Sequence, residues 1–309
     1  MKIAFLFSGQ GAQYKNMGRE LYDNYEEARN IFNKANEVLG IDLKEIIFNK
    51  EDELNKTENT QPAILTMSIA ALEVLRSQGI EAEAVAGLSL GEYSALIASG
   101  ALTFEEGVAL VRKRGQFMQE AVPAGKGSMI AVMGLSKEKL QEACEYGSKF
   151  GVVEIANYNT REQMVIGGEV EAVEKAAEKA KELGAKRAVP LVVSGPFHTS
   201  LLKPAAKKLR KELENVNFSE TKVPLLTNVT GNYVKCISES KDLLEAQVMS
   251  SVKWVDIIER LVDDGFDTFI ELGPGRVLSG FVKKVDRKLV TLNVEDIASL
   301  EKTISIIKG

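Results

Sequence analysis

The chain has 309 residues, of which 45% are hydrophobic and 27% are charged, and this predicts a globular protein of one large or two ordinary domains. Its 39 lysines and arginines and 44 aspartates and glutamates give a net charge of -5, which argues against a general nucleic-acid binder. Two distant cysteines, Cys144 and Cys236, argue against a disulfide framework, and a single histidine excludes every metal site that needs several imidazoles.

The first apolar segment, residues 2–7, is too short for a signal-peptide core or a membrane span and is predicted to be a buried strand. We therefore expect a cytoplasmic protein that does not contact membranes. Strands then alternate with helices, and this order predicts a parallel sheet covered by helices. The next predicted elements are helices at 17–39 and at 60–78 with Pro62 in its first turn, a strand at 84–87, and helices at 90–98 and 103–121, the last with a capping box of Thr103 and Glu106.

Residues 124–191 show a different order, β-α-β-β-α-β, which is typical of a ferredoxin-like unit. We therefore predict an α/β fold in which a small ferredoxin-like domain, 124–191, is inserted into a large α/β-hydrolase-like domain, 1–123 and 192–309, with a mostly parallel sheet. The predicted elements of this second half are strands at 128–133, 151–157, 162–167 and 186–193, helices at 136–147 and 169–183, a long helix opened by His198, and strands near 223–227, 267–271 and 289–292.

The segment Gly87-Leu88-Ser89-Leu90-Gly91 matches G-x-S-x-G and lies between a predicted strand and a predicted helix. This placement suits a nucleophilic serine on a sharp turn, because the glycines leave room for the backbone and the helix offers an N–H to a developing oxyanion. The pentapeptide alone is a weak signal, so a tight turn that merely tolerates serine is the alternative.

A serine nucleophile needs a general base, and His198 is the one imidazole in the chain. It follows the end of a predicted strand, where functional groups of α/β proteins gather, although a purely structural histidine is the alternative. No aspartate lies between Asp52 and Asp242, so the Ser, Asp, His order of α/β-hydrolases is missing. The residues therefore predict a Ser–His dyad whose imidazole is oriented by another group, such as a backbone carbonyl or an amide.

Five segments, in order and at family spacing, resemble the malonyl-CoA:acyl carrier protein transacylase family over the whole chain. They are GQGAQ at 9–13, GLSLGEYSA at 87–95, RKRGQFMQEA at 112–121, PFH at 196–198 with LKP at 202–204, and ELGPG at 271–275. The resemblance implies a ping-pong acyltransferase that moves a malonyl group from malonyl-CoA, through a serine ester, to the phosphopantetheine thiol of acyl carrier protein.

The same resemblance assigns roles to individual residues. Ser89 matches the nucleophile, His198 the base, and Gln247 the residue whose main-chain carbonyl orients the histidine. The backbone N–H groups of Gln10 and Leu90 match the oxyanion hole. No metal and no bound cofactor is expected, since malonyl-CoA and coenzyme A are substrate and product.

Three further residues match the part of the family that binds the acyl group. Arg114 matches the arginine that binds the malonyl carboxylate, with a surface arginine as the alternative, and Met118 stands in the same motif. Phe197 resembles the bulky residue that crowds an alpha-methyl branch, with a core aromatic as the alternative. The sequence departs from many members at Leu88, where they carry a histidine before the nucleophile.

Acyl carrier protein is the partner that the resemblance implies, and it is acidic. A basic run after His198, formed by Lys203, Lys207, Lys208 and Lys211, could steer its docking, although such a run is usually a solvated helix face. We expect a monomer that serves fatty acid biosynthesis. A serine hydrolase and a scaffold with a degenerate site are the competing function classes.

Overall fold

The computed structural model describes residues 1–123, 125–193 and 195–309, and its longer strands form two separate sheets. The strands are β1 (Ile3–Phe7), β2 (Ala84–Gly87), β3 (Gly127–Met133), β4 (Val153–Thr160), β5 (Gln163–Glu169), β6 (Arg187–Pro190), β7 (Leu226–Thr227), β8 (Asn232–Tyr233), β9 (Thr268–Leu272) and β10 (Val290–Val294). The predicted domain boundary at Ala124 lies outside the described residues.

Helices cover both sides of the chain's first sheet and one face of the second. They are α1 (Arg19–Asn24), α2 (Glu26–Leu39), α3 (Leu43–Asn49), α4 (Glu51–Leu54), α5 (Thr57–Ser77), α6 (Gly91–Ala98), α7 (Phe104–Ala121), α8 (Lys137–Gly147), α9 (Val170–Glu182), α10 (Lys203–Glu214), α11 (Ser240–Met249), α12 (Trp254–Asp263), α13 (Val277–Val285) and α14 (Ile297–Lys308). Among the described residues, no helix combines the length and the apolar character needed to cross a membrane.

The first sheet is parallel throughout, in the order β10-β9-β1-β2, as the alternation of strands and helices predicts. Strands β1 and β2 are apolar, and β1, β2 and β9 are almost entirely buried, which is typical of parallel sheets between helix layers. Because parallel strands end at the same edge, the loops after Phe7 and Gly87 lie side by side, and the N–H of Leu88 donates to the carbonyl of Phe7 at 3.1 Å. This edge carries the candidate site.

The second sheet has the order β4-β5-β3-β6, and every neighbouring pair is antiparallel. All four strands come from one continuous stretch, 127–190, and alternate with α8 and α9 in the order β-α-β-β-α-β. A separate apolar cluster that includes Ile130, Ile166 and Val173 fills the space between this sheet and its two helices. The mixed α/β architecture with a parallel sheet is therefore confirmed, and the second sheet has its own core.

Several predicted boundaries differ from those of the structure. The helix predicted at 17–39 is interrupted at Tyr25, whose backbone is extended, and α5 begins at Thr57, so Pro62 lies in its second turn. His198 does not open a helix, because a 3₁₀ turn, Ser200–Leu202, precedes α10.

The strand predicted at 223–227 is reduced to the two residues of β7, apart from one parallel bridge between Leu225 and Val85. The strand predicted at 186–193 ends at Pro190. In contrast, Thr103 caps α7 as predicted, since its hydroxyl accepts from the N–H of Glu106 at 3.2 Å. The predicted capping box is incomplete, because the Glu106 carboxylate accepts from that hydroxyl at 2.7 Å and, among the described residues, not from the backbone N–H of Thr103.

Candidate active site

A cavity of about 450 Å³ lies between the two sheets, next to the edge where β1 and β2 end. The second sheet contributes polar side chains to its wall, among them Asn157, Asn159 and Gln163. Six of the predicted site residues line this cavity: Gln10, Ser89, Arg114, Met118, Phe197 and His198. The other two, Leu90 and Gln247, are fully buried directly behind it.

Ser89 sits on a strained turn between β2 and α6. Its φ of 53° lies in the left-handed region, which is uncommon for any residue other than glycine. A Cβ atom on Gly87 would lie 1.9 Å from the carbonyl oxygen of Gly91, and one on Gly91 would lie 2.1 Å from that of Phe7. Both glycines of the motif are therefore required by close backbone contacts, and the turn presents Ser89 to the cavity.

The imidazole of His198 bridges Ser89 and the main chain of α11. Its Nε2 lies 2.7 Å from the hydroxyl of Ser89, and its Nδ1 lies 2.7 Å from the carbonyl oxygen of Gln247. A carbonyl can only accept, so Nδ1 carries the proton and Nε2 is left to accept from the serine hydroxyl. This is the geometry of a nucleophile activated by a base that a third group orients.

Burial controls the ionisation of this histidine. Loss of solvent, and secondarily the positive charge of Arg114, lower the pKa of His198 from 6.5 to about 4. The imidazole is therefore neutral at neutral pH, which is the state that a general base needs.

Arg114 lies inside the protein, on α7, with 1% of its surface exposed. Its guanidinium donates to the side-chain oxygen of Gln61 at 2.9 Å, to the hydroxyl of Ser89 at 3.1 Å and to the side-chain oxygen of Gln247 at 3.1 Å. Within the part of the chain that the structure describes, no carboxylate forms an ion pair with it. The surface-arginine alternative is therefore wrong, and a buried cation stands beside the candidate nucleophile.

Two backbone N–H groups near Ser89 make no hydrogen bond to any other described residue. They belong to Gln10, which follows β1, and to Leu90, which follows Ser89. The side chain of Gln10 is held by the hydroxyl of Thr57 at 3.2 Å and by the amide of Gln61 at 3.3 Å. Free N–H groups beside a nucleophile can stabilise a developing oxyanion.

The remaining predicted residues fall into two groups. Phe197 and Met118 are buried in the cavity wall, and the sulfur of Met118 lies 3.5 Å from the amide nitrogen of Gln61. The four lysines are all exposed on α10, and one of them, Lys208, is paired with Glu120 at 2.7 Å.

Sequence reasoning assigned no role to three buried residues that hold this site together: Gln61, Glu92 and Asn228. The side chain of Asn228 accepts from the N–H of Ser89 at 2.6 Å and donates to the carbonyl of Gly87 at 2.7 Å. Glu92 offered a signal, because it is the one charged residue in the otherwise uncharged helix α6. Gln61 and Asn228 offered none, since their chain positions are far from Ser89 and only the fold brings them close.

Comparison with known proteins places the chain in a family. The family described as acyl transferase domain matches residues 4–303. The malonyl CoA-acyl carrier protein transacylase of Bacillus subtilis (strain 168) is 47% identical over 99% of this chain and 98% of that protein.

Solved structures agree with this placement. The malonyl CoA-acyl carrier protein transacylase of Clostridium perfringens ATCC 13124 is 50% identical and superposes with a TM-score of 0.97 over 100% of this chain and 98% of that one. A malonyl-transacylase solved in complex with its type II PKS acyl-carrier protein is 38% identical, with a TM-score of 0.96 over 99% and 100% of the two chains. The chain therefore belongs to the acyl transferase domain family and, within it, to the malonyl CoA-acyl carrier protein transacylases.

Proposed function

We propose that this protein is an acyl carrier protein S-malonyltransferase that works through a malonyl ester of Ser89. It moves the malonyl group of malonyl-CoA to the phosphopantetheine thiol of acyl carrier protein, and the product serves as extender unit in fatty acid biosynthesis. The relatives' names support the substrates, and the contacts of Ser89, His198 and Arg114 support the chemistry.

The first half-reaction acylates the serine. The hydroxyl of Ser89 gives its proton to Nε2 of His198 as its oxygen attacks the thioester carbonyl of malonyl-CoA. The backbone N–H groups of Gln10 and Leu90 stabilise the negative charge on the tetrahedral intermediate. The C–S bond then breaks, and the leaving thiolate of coenzyme A takes the proton from His198.

The second half-reaction repeats these steps with the carrier thiol as nucleophile. The thiol gives its proton to His198 and attacks the malonyl ester, and the bond between the acyl carbon and Ser89 breaks as the serine oxygen regains a proton. One neutral imidazole therefore serves both halves, and the carbonyl of Gln247 holds its proton on Nδ1 throughout.

The observation that carries the substrate assignment is the position of Arg114. A malonyl group on Ser89 has a free carboxylate one methylene beyond its ester carbonyl, and a buried unpaired carboxylate is very unfavourable. The guanidinium already lies 3.1 Å from the serine oxygen, and its hydrogen bonds to described residues all go to neutral oxygens. We therefore assign Arg114 to the malonyl carboxylate, with Met118 and Phe197 as apolar walls of the acyl pocket.

We propose that the carrier docks beside α10. Its four lysines point away from the buried face formed by Ala205, Ala206, Leu209 and Leu213, and an acidic carrier complements them. The relative solved with an acyl-carrier protein supports such a partner. Because Lys208 is paired with Glu120, we expect the other three lysines to contribute more.

We also propose the division into two domains, 1–123 with 192–309 and 124–191, and a cytoplasmic monomer. The separate core and the β4-β5-β3-β6 strand order support a ferredoxin-like insertion. The parallel sheet with a serine turn at its edge supports the α/β-hydrolase-like description of the large domain. The insertion then forms the wall of the cavity opposite Ser89.

The function is tested by incubating the protein with malonyl-CoA, with and without the acyl carrier protein that carries phosphopantetheine. We expect malonyl-carrier to accumulate with little free malonate, and coenzyme A release beyond one turnover to require the carrier. Rapid formation of free malonate without the carrier would instead identify a serine hydrolase.

A further inference from the structure

One carboxyl oxygen in the interior holds together two segments that are distant in sequence. Oε2 of Glu92 accepts from the side-chain nitrogen of Gln247 at 2.7 Å and from the backbone N–H of Asn228 at 3.0 Å. Glu92 is 1% exposed, and both donors are fully buried. A buried carboxyl group is unfavourable unless hydrogen bonds compensate for the loss of water. The presence of Glu92 at this position therefore suggests a role for its carboxyl group.

Each of the two donors contacts one member of the catalytic pair. The main-chain carbonyl of Gln247 binds Nδ1 of His198, and its side-chain nitrogen also donates to the carbonyl of Ser89 at 3.0 Å. The side chain of Asn228 binds the N–H of Ser89. Glu92 is therefore hydrogen-bonded directly to Asn228, which contacts the nucleophile, and to Gln247, which contacts the base.

Glu92 is also fixed relative to the nucleophile by the helix that carries both. Its N–H donates to the carbonyl of Ser89 at 3.1 Å, in the first turn of α6. The carboxyl oxygen consequently ties α11 and the segment after β7 to the strained turn at Ser89.

We propose that Glu92 is a positioning residue for malonyl transfer, which holds Ser89 and His198 in register by accepting hydrogen bonds from Gln247 and Asn228 through a single carboxyl oxygen. The inference rests on the proposed function, because it concerns the same Ser–His pair. In this proposal, the alignment of Ser89 and His198 depends on where the acceptor oxygen of Glu92 lies. The charge of the carboxylate is not required.

The ionisation of the group agrees with this distinction. Burial raises the pKa of Glu92 to about 7, against the lowering effects of its two hydrogen bonds and of the nearby charge of Arg114. The carboxyl group is therefore partly protonated at neutral pH, while its oxygen still accepts the two hydrogen bonds.

Two conservative variants separate position from charge. Glu92→Gln keeps an acceptor oxygen at the same distance and removes the charge, so we expect its kcat to stay within about threefold of wild type. Glu92→Asp keeps the charge and withdraws the oxygen by one methylene, so we expect kcat to fall at least about tenfold with KM for malonyl-CoA little changed.

The measurements are kcat and KM for malonyl transfer, the thermal midpoint, and the rate at which Ser89 is labelled by a small fluorophosphonate. Labelling reports the Ser–His geometry without malonyl-CoA, and we expect it to fall with kcat in Glu92→Asp. Thr303→Val is the matched control, because it removes one buried hydrogen bond, to the carbonyl of Asn293 at 3.0 Å, away from the site. It should lower the thermal midpoint and leave kcat unchanged.

The opposite order, with activity retained in Glu92→Asp and lost in Glu92→Gln, would overturn the inference, and so would wild-type kcat in both variants. If the wild-type protein transferred no malonyl group while labelling still fell only in Glu92→Asp, the proposed function would fail and the positioning role would stand.

Discussion

Arg114 distinguishes this site from that of a serine enzyme that acts on uncharged acyl groups. A Ser–His pair and two backbone donors would accept many thioesters, but a buried guanidinium 3.1 Å from the nucleophile favours an acyl group that brings its own carboxylate. Among the described residues, neutral side-chain oxygens accept its hydrogen bonds, the ring of Tyr93 lies 5.4 Å from the guanidinium carbon, and Glu92 interacts with it only through space, without an ion pair. Its removal should therefore change selectivity as well as rate.

We expect Arg114→Ala to lower kcat/KM for malonyl-CoA by about 30-fold to several thousand-fold, the effect of removing one partner of a buried charged pair of about 2–5 kcal/mol. Reaction with acetyl-CoA should not fall, because an acetyl group has no carboxylate to bind. Arg114→Lys should restore part of the malonyl activity, since it supplies a charge without the planar fork. The measurement is kcat/KM for both thioesters in the three proteins, and equal losses for both would contradict the assignment.

The lowered pKa of His198 makes the pH profile informative. In the proposed mechanism His198 acts as a base in its neutral form, so activity should be lost as pH falls through about 4 and not through 6.5. Arg114→Ala removes a positive charge that lowers this pKa, so the acid limb should move to higher pH in that variant.

The profile is measured as kcat/KM for acetyl-CoA, because an acetyl group makes no ion pair with Arg114, with far-UV circular dichroism as a control for acid unfolding. An acid limb near 6.5 in the wild-type protein, or a shift to lower pH in the variant, would contradict this account of the base.

At the scale of single elements, the turn between β2 and α6 must present Ser89 to the cavity and must also fit against the backbone of α6. A methyl group on Gly87 would contact the backbone of α6 at a distance that no relaxation of a flexible side chain can relieve. We expect Gly87→Ala to lower the free energy of unfolding by about 3 kcal/mol or more, measured by urea denaturation. Gly280→Ala is the control, because a Cβ there meets nothing within 4 Å and its helix α13 should be unaffected or slightly stabilised. Equal stability of the two variants would be inconsistent with the structure.

Helix α10 is the element proposed to meet the carrier. Reversing two charges, in Lys203→Glu with Lys207→Glu, should raise KM for the carrier and make it less dependent on salt. Acylation of Ser89 by malonyl-CoA alone should keep its rate. Lys302→Glu, on the exposed face of α14, is the control and should change neither quantity. An unchanged KM for the carrier in the double variant would remove α10 from the docking surface.

For the molecule as a whole, sequence patterns predicted the layers and the order of the elements better than the contacts between them. The apolar period of the strands and the G-x-S-x-G turn are local features, so β1, β2 and the position of Ser89 could be predicted. The break at Tyr25 and the shortness of β7 depend on tertiary packing, which no local pattern contains.

The residues of the candidate site likewise fall into those that local motifs predict and those that only the folded structure brings together. Ser89, His198 and Arg114 stand in recognisable motifs, and the absence of an aspartate agrees with the contact that His198 makes with the carbonyl of Gln247. Gln61 and Asn228 could not be predicted, because each lies far along the chain from Ser89 and reaches the site only through the packing of α5 and of the segment after β7. The burial of Arg114 also required the structure, since its neighbours in sequence are charged.

The central claim is that Ser89, at the cleft between the two sheets, carries the malonyl group between donor and acceptor. Its most direct test is the intact mass of the protein after exposure to malonyl-CoA alone, followed by peptide mapping. We expect one malonyl adduct on the peptide that contains Ser89 in the wild-type protein, its loss when the carrier is added, and no adduct in a folded Ser89→Ala variant. A malonyl ester that still forms in Ser89→Ala, or that maps to another residue of the wild-type protein, would contradict the account.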